Sequence, residues 1–213
     1  MWSLLSQLMT TDLGEFYRAS RLRLADLVDD TVAGRPVPAT PAWQVHEVVA
    51  HLAGVMQDVA TGNLEGVTTD PWTAAQVERA RGKSVAQVVD EWAGGATGFE
   101  EFLSSPDGAQ AGAAVIDVHA HETDIRSALG LAPELSDEVL GWLGSAMRDS
   151  FSGQVAAAGL PPVTIDMSDF ELFRGRLGRR TADEICAFGW SADPAAYLDT
   201  FFLFGPTDHP VGT

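Results

Sequence analysis

Two stretches of this sequence hold side chains that could act together on one ligand. The first contains His51, with Glu47 four residues before it. The second contains Asp117, His119 and His121. On a helix, residues four apart share a face and residues two apart do not. Asp117 and His121 are therefore expected to point the same way. Val118 and Ile125, three before and four after His121, mark that face as apolar. His119 is expected to turn outward, beside Glu122 and Arg126. His51 sits on the flank of a face set by Val48 and Val55. Glu47 is placed to accept a hydrogen bond from the His51 imidazole, a contact that would fix the tautomer and the ring's orientation.

Two helices of one bundle could thus aim His51, Asp117 and His121 at a common point. Two imidazoles and a carboxylate suit a divalent metal. Three protein ligands leave one coordination position for water or substrate, the mark of a catalytic rather than a structural zinc site. Nickel, iron and manganese accept the same donors. A plainer reading stands beside this one: a histidine near an apolar face is often satisfied by its neighbours, and spacing alone does not choose between the two.

The elements that must carry these residues are helical. Leu13, Phe16, Tyr17, Leu22, Leu24 and Leu27 predict a first helix over about 11–31, ended by Gly34 and the proline-rich Arg35–Pro38. Thr40 and Pro41 read as N-cap and first position of a second helix, whose apolar face is Val45, Val48, Val49, Leu52, Met56 and Val59. A short helix is expected from Pro71 to about Arg81. Ser84 with Gln87 forms a capping box for a third long helix through Val88, Trp92, Phe99 and Phe102, weakened in the middle by Gly94, Gly95 and Gly98. A fourth runs over about 109–129 and a fifth starts at Ser136, with Leu140, Leu143, Met147 and Phe151 as its buried stripe. After Gly159 the pattern shortens. A strand is expected at Val163–Ile165, a helix at Phe170–Leu177, a capping box at Thr181–Glu184, and a last helix opened by Asp193–Pro194 and running through Tyr197, Leu198, Phe201 and Phe202. The expected fold is all-α: a helix bundle over 1–160 with a small C-terminal α(+β) appendage over 161–213.

Composition narrows the partners. The chain has 213 residues, 30 acidic against 13 basic, and a formal net charge of −17. Such a surface repels phosphate backbones, which argues against nucleic acid. The only cysteine, Cys186, excludes a disulfide framework and suits a reducing cytoplasm. Placed in an apolar stretch, it reads as a packed small residue rather than a nucleophile. No apolar run of about 18 residues offers a transmembrane helix. The opening Met-Trp-Ser-Leu-Leu lacks the basic start and cleavage site of a signal peptide. Lys83 is the only lysine among the 13 basic residues, a bias that suggests a GC-rich coding genome. Neither a Gly-x-Ser-x-Gly elbow nor a phosphate-binding loop is present.

The two histidine-bearing stretches carry a family resemblance. Thr40-Pro41-Ala42-Trp43-Gln44-Val45-His46-Glu47-Val48-Val49-Ala50-His51-Leu52 resembles the second-helix signature of the mycothiol-dependent maleylpyruvate isomerase family, roughly Pro-Gly-Trp-x-Val-x-Asp-x-x-x-His-Leu. Asp117 to Gly130 resembles its second motif, Glu-x-x-x-His-x-x-Asp-x-x-x-Ala-Leu-Gly. Glu171–Arg174 and Gly178–Thr181 resemble a stretch found in actinobacterial members. The resemblance implies a DinB-like, metal-binding, up-down four-helix bundle with His51, Asp117 and His121 as metal ligands. Asp117 stands where the family has Glu, Glu47 where it has Asp, and Ala42 where it has Gly. Catalytic members also carry a sterol-carrier-like domain for which the chain after Pro161 is too short. The implied chemistry is thiol-dependent. Mycothiol is the small thiol of actinobacteria, and a metal with an open position would favour its thiolate. Superfamily members often pair as homodimers.

Further candidates concern the thiol or substrate. Trp43 could line a pocket mouth or simply staple the loop to the bundle. Asp124, Arg126 and Arg180 are candidate contacts to the thiol, and Asp124 could equally be a solvated residue or pair with Arg126. Arg174, Arg176, Arg179 and Arg180 form a basic cluster that could bind a carboxylate or pair with the chain's own acids. His46 and His209 read as surface residues. Three functions follow: a metal-dependent, thiol-using transferase or isomerase of a small electrophile; a non-catalytic metal-binding or regulatory protein; and a metal-dependent hydrolase.

Overall fold

The computed structural model describes residues 11–212; the expectation about the opening Met-Trp-Ser-Leu-Leu lies outside them. Among the described residues the chain is all-α apart from one two-stranded sheet. They form two compact units. One holds the chain up to Pro36 together with Ala42–Glu122, the other Val37–Pro41 together with Thr123 onward.

In the first unit, α1 (Leu13–Leu27) starts where Asp12 accepts a hydrogen bond from the Glu15 amide, and it ends a turn earlier than expected. A turn at Asp29–Thr31, held by the Asp29 carboxylate, takes over there. Helix α2 (Val45–Thr61) also differs from expectation. Gln44, not Thr40, is its cap, and Thr40–Trp43 form a turn and loop ahead of it. The cause is local: the Gln44 side chain accepts from the Glu47 amide, and the Glu47 carboxylate accepts from the Gln44 amide. Helix α3 (Asp70–Arg79) carries Pro71 in its first turn. Helix α4 (Val85–Ser104) opens with the Ser84–Gln87 capping box and runs through its three glycines without a break. Gly95 shows why one of them is there. A Cβ at this position would come 2.7 Å from Met56 Cε, so the glycine lets α2 and α4 approach closely.

A 3-10 turn (Gly108–Ala111) leads into α5 (Gly112–Ala128), whose residues 112–122 belong to the first unit. The core of this unit includes Tyr17 and Leu24 from α1, Val48, Val49 and Leu52 from α2, Val88, Trp92 and Phe99 from α4, and Val115 and Val118 from α5. Trp92 donates its indole N–H to the Tyr17 hydroxyl at 2.9 Å, which satisfies the one polar atom the indole brings inside.

In the second unit, α6 (Asp137–Ala157) is capped by Ser136, as expected. Strands β1 (Ile165–Asp166) and β2 (Gly189–Trp190) pair antiparallel, Ile165 opposite Trp190. Helix α7 (Asp169–Arg176) begins at Ser168, and α8 (Ala182–Cys186) begins at the expected Thr181–Glu184 capping box. The last helix is shorter than its apolar pattern suggests. Pro194–Ala196 form a 3-10 turn, and α9 covers only Leu198–Phe201. Phe201 and Leu172 lie in this unit's core, and Cys186 is half-buried. Among the described residues, no helix is long and apolar enough to cross a membrane.

Candidate metal centre

The central feature of α5 is a stretch with no exposed side. Every residue from Val118 to Ile125 is buried, including His119, His121, Glu122, Thr123 and Asp124. This overturns the outward placement of His119. That placement requires an exposed back face, and α5 has none over this stretch. His119 is fully buried and donates Nδ1–H to the Val115 carbonyl at 2.8 Å. Burial holds its imidazole below the ordinary histidine range. Glu122 is matched in the first unit by Arg23, whose Nε and Nη2 each reach one carboxylate oxygen at 2.6 Å, and by the Ser20 hydroxyl at 2.6 Å.

Helices α2 and α5 bring the three expected ligands together. His51 Nε2 lies 3.3 Å from Asp117 Oδ2, and His121 Nε2 lies 3.5 Å from Asp117 Oδ1. One donor atom from each of the three residues falls within 4.8 Å of the others. Both imidazoles are buried, and Asp117 is partly exposed although its Oδ2 is buried. The carboxylate stands within donor–donor range of both rings. Donors at about 2.0–2.2 Å from a tetrahedral centre stand about 3.3–3.6 Å apart along each edge. Each imidazole Nε2 lies about one such edge length from an Asp117 oxygen, His51 from Oδ2 and His121 from Oδ1, and with one donor taken from each residue all three fall within 4.8 Å of one another. The shorter Asp117 side chain in place of Glu therefore does not keep the carboxylate out of range.

Trp43 flanks the cluster. Its ring centroid is 5.2 Å from that of His51 and 6.2 Å from that of His121, and the two imidazoles meet edge-on at 5.3 Å. It is half-buried and stands on the loop that the Gln44–Glu47 cap fixes.

The expected hydrogen bond from His51 to Glu47 is not formed, because the Glu47 carboxylate is engaged at the helix cap. Its place is taken by Gln76 of α3, whose Oε1 lies 2.7 Å from His51 Nδ1. The Gln76 amide nitrogen donates to Asp58 Oδ2 at 2.8 Å. Asp58 is in turn held by Asn63 Nδ2 at 2.9 Å and Arg79 Nη2 at 2.9 Å. Burial pushes the Asp58 carboxyl up, but the hydrogen bonds from Asn63, Arg79 and Gln76 outweigh it and hold it below the usual carboxylate range. A group lowered on folding contributes stability that is present above its unfolded value of about 3.9 and is lost as pH falls through the folded one. Asp58→Asn is therefore expected to be less stable than the wild type at neutral pH, with the difference closing below about pH 4. Urea unfolding across a pH series measures this; a difference independent of pH contradicts it.

Gly54 allows Gln76 to reach the site. A Cβ at Gly54 would sit 2.5 Å from Gln76 Cβ and 2.7 Å from its Cγ, so α3 would have to move. Gly54→Ala is expected to cost about 1–3 kcal/mol, read as a melting temperature lower by about 2–4 °C per kcal/mol. An unchanged melting temperature would show that α3 gives way freely.

The other candidates lie in the second unit. Asp124 accepts from Arg174 Nη1 at 2.6 Å and from Arg179 Nη2 at 2.7 Å, with Asp124 and Arg174 fully buried. Arg126 pairs with Glu134 at 2.7 Å and donates to the Ala132 carbonyl. Arg180 makes a two-pronged contact with Glu171 at 2.7 and 2.9 Å, beside an open cavity of about 460 Å³ lined also by Glu184, Phe188 and Val211. Buried Arg176 is held by neutral acceptors. It donates to the carbonyls of Thr200 and Phe201, to Ser150 Oγ and to Gln154 Oε1, under the Phe151 ring. Burial brings it down to about 10. In the first unit His46, expected at the surface, is half-buried with Nε2 2.9 Å from the Lys83 carbonyl; in the second, His209 is exposed.

Comparison with known proteins bears on what this arrangement is. No curated protein and no solved structure matches the chain. A family model does. The model described as the mycothiol maleylpyruvate isomerase N-terminal domain matches residues 16–128, more than half of the chain, from α1 through α5 and across all three clustered residues. With that match over the helices that build the cluster, the chain belongs to the mycothiol maleylpyruvate isomerase N-terminal domain family.

Proposed function

We propose that this protein is a metal-dependent, thiol-using S-transferase or isomerase acting on a small electrophilic substrate, with a mycothiol-type thiol as co-substrate. The observation that carries the reading is the convergence of His51, Asp117 and His121 on one point, inside the segment that defines the family. These three residues would hold a divalent ion, zinc first by its donor set. Two neutral imidazoles and one carboxylate leave such a centre with net positive charge and an open position, which favours the thiolate of a small thiol near neutral pH.

The chain's own residues set the rest of the chemistry. The buried imidazoles keep the inner side of the site dry, and partly exposed Asp117 marks the side from which a small molecule arrives. Trp43 presents an apolar, flat surface beside both rings, suited to covering a bound thiol. Asp124, Arg126 and Arg180 enter the proposal with a condition. A thiol that used them would have to compete with Arg174, Arg179, Glu134 and Glu171. Isomerisation and S-transfer share their first step, addition of the thiolate sulfur to an electrophilic carbon. A reducing cytoplasm, in keeping with the lone Cys186, would keep such a thiol available.

The test is turnover of an activated aryl halide and of an α,β-unsaturated diacid by the zinc-loaded protein, with mycothiol, with glutathione, or with no thiol. Mycothiol-dependent turnover that His121→Ala abolishes is expected. Turnover that needs no thiol would instead indicate water as the nucleophile, and would overturn the transferase reading.

A further inference from the structure

The chain of contacts behind His51 carries an assignment of its own. An Asp carboxylate held ionised accepts hydrogen bonds and donates none. Asp58 is held in that state by Arg79 and Asn63, and its Oδ2 faces the Gln76 side chain at 2.8 Å. The Gln76 amide must therefore turn its NH2 toward Asp58 and its oxygen toward His51. That oxygen, 2.7 Å from His51 Nδ1, is an acceptor only, so Nδ1 must carry the hydrogen. Nδ1 is thereby occupied, and Nε2, the atom that faces Asp117, is the nitrogen left for an ion. A fixed carboxylate at one end thus decides, through one amide, which nitrogen of the ring is left to coordinate.

We infer that Gln76, oriented by Asp58, is a positioning residue that locks His51 in the Nδ1–H tautomer and so presents Nε2 as its metal-binding atom. The metal half of this assignment rests on the reading under Proposed function; the tautomer half does not. Gln76 is buried, sits on α3 against Gly54, and makes both of its amide contacts with α2, so its orientation has no solvent-exposed alternative. Outer partners of this kind typically command 10–100-fold in metal affinity.

The experiment has two readouts on the full chain. The first is the imidazole nitrogen spectrum of the metal-free, nitrogen-15-labelled protein at about pH 8, above the ordinary imidazole range. His51 is expected to show a protonated Nδ1. The second is the zinc dissociation constant of the wild type and of Gln76→Met. Methionine keeps the volume and removes the acceptor, so zinc binding is expected to weaken by about 10–100-fold. A wild-type His51 protonated on Nε2 instead, or a Gln76→Met protein that binds zinc as tightly as the wild type, overturns the inference. The nitrogen spectrum of the wild type decides even if Gln76→Met fails to fold. A protonated Nδ1 in a protein that binds no zinc supports the tautomer lock and contradicts the metal reading, so the two failures are distinct.

Discussion

Replacing His51 with alanine is expected to abolish stoichiometric binding of a divalent cation. The side chain supplies one of the cluster's three donors, and the remaining pair, Asp117 and His121, comes from a single turn of α5. Two donors four residues apart on one helix hold an ion no better than many surface pairs. The affinity loss should therefore exceed the 10–100-fold that outer partners command. The effect also appears in stability. A ligand that binds only the folded state stabilises it by about 2.7 kcal/mol at a hundred times its dissociation constant. Zinc should raise the melting temperature of the wild type and leave that of His51→Ala unchanged. His209→Ala, at an exposed histidine, serves as the control and should behave as the wild type. Equal zinc stabilisation of His51→Ala and the wild type would remove His51 from the site.

The second large effect lies in the C-terminal unit. Asp124→Leu removes the carboxylate that lies between the buried guanidinium groups of Arg174 and Arg179. A buried charge whose partner is deleted costs about 3–5 kcal/mol. For a chain of this size that lowers the melting temperature by about 6–20 °C. Arg126→Ala is the comparison. Its partner Glu134 has a side chain 57% exposed, so solvent screens the pair and the loss should stay within about 1 kcal/mol. Thermal denaturation of both variants measures the contrast. Similar melting temperatures for the two would mean that Asp124 does not offset the two arginines.

Much of the fold is legible in the sequence because its signals are local. The caps at Ser84, Ser136 and Thr181 lie within four residues of the groups they satisfy, and each marks the start of its helix in the structure. The convergence of His51, Asp117 and His121 is legible for a similar reason. Asp117 and His121 share a helix face, and His51 lies on an apolar flank that must pack inward. What escapes is set by long-range contacts. Gln76 is 25 residues from His51 in sequence and is a buried polar residue on a helix of mostly polar composition, so no periodic pattern singles it out. The one available signal is Gly54, the small residue opposite it, which leaves room for a larger side chain from another helix. Periodicity turns His119 outward only if α5 has one buried side. The cues against that, Arg23 and Ser20, lie about a hundred residues away and act only once α1 packs on α5. Spacing draws Glu47 toward His51, while the nearer Gln44 amide claims it.

One cation centre built by two helices underlies the proposed chemistry. Crystals grown with zinc and measured at the zinc absorption edge test it most directly. One anomalous peak is expected, about 2.0–2.2 Å from His51 Nε2, His121 Nε2 and an Asp117 carboxylate oxygen. Three side chains that keep their convergence around no peak, or a zinc ion held elsewhere, would contradict it.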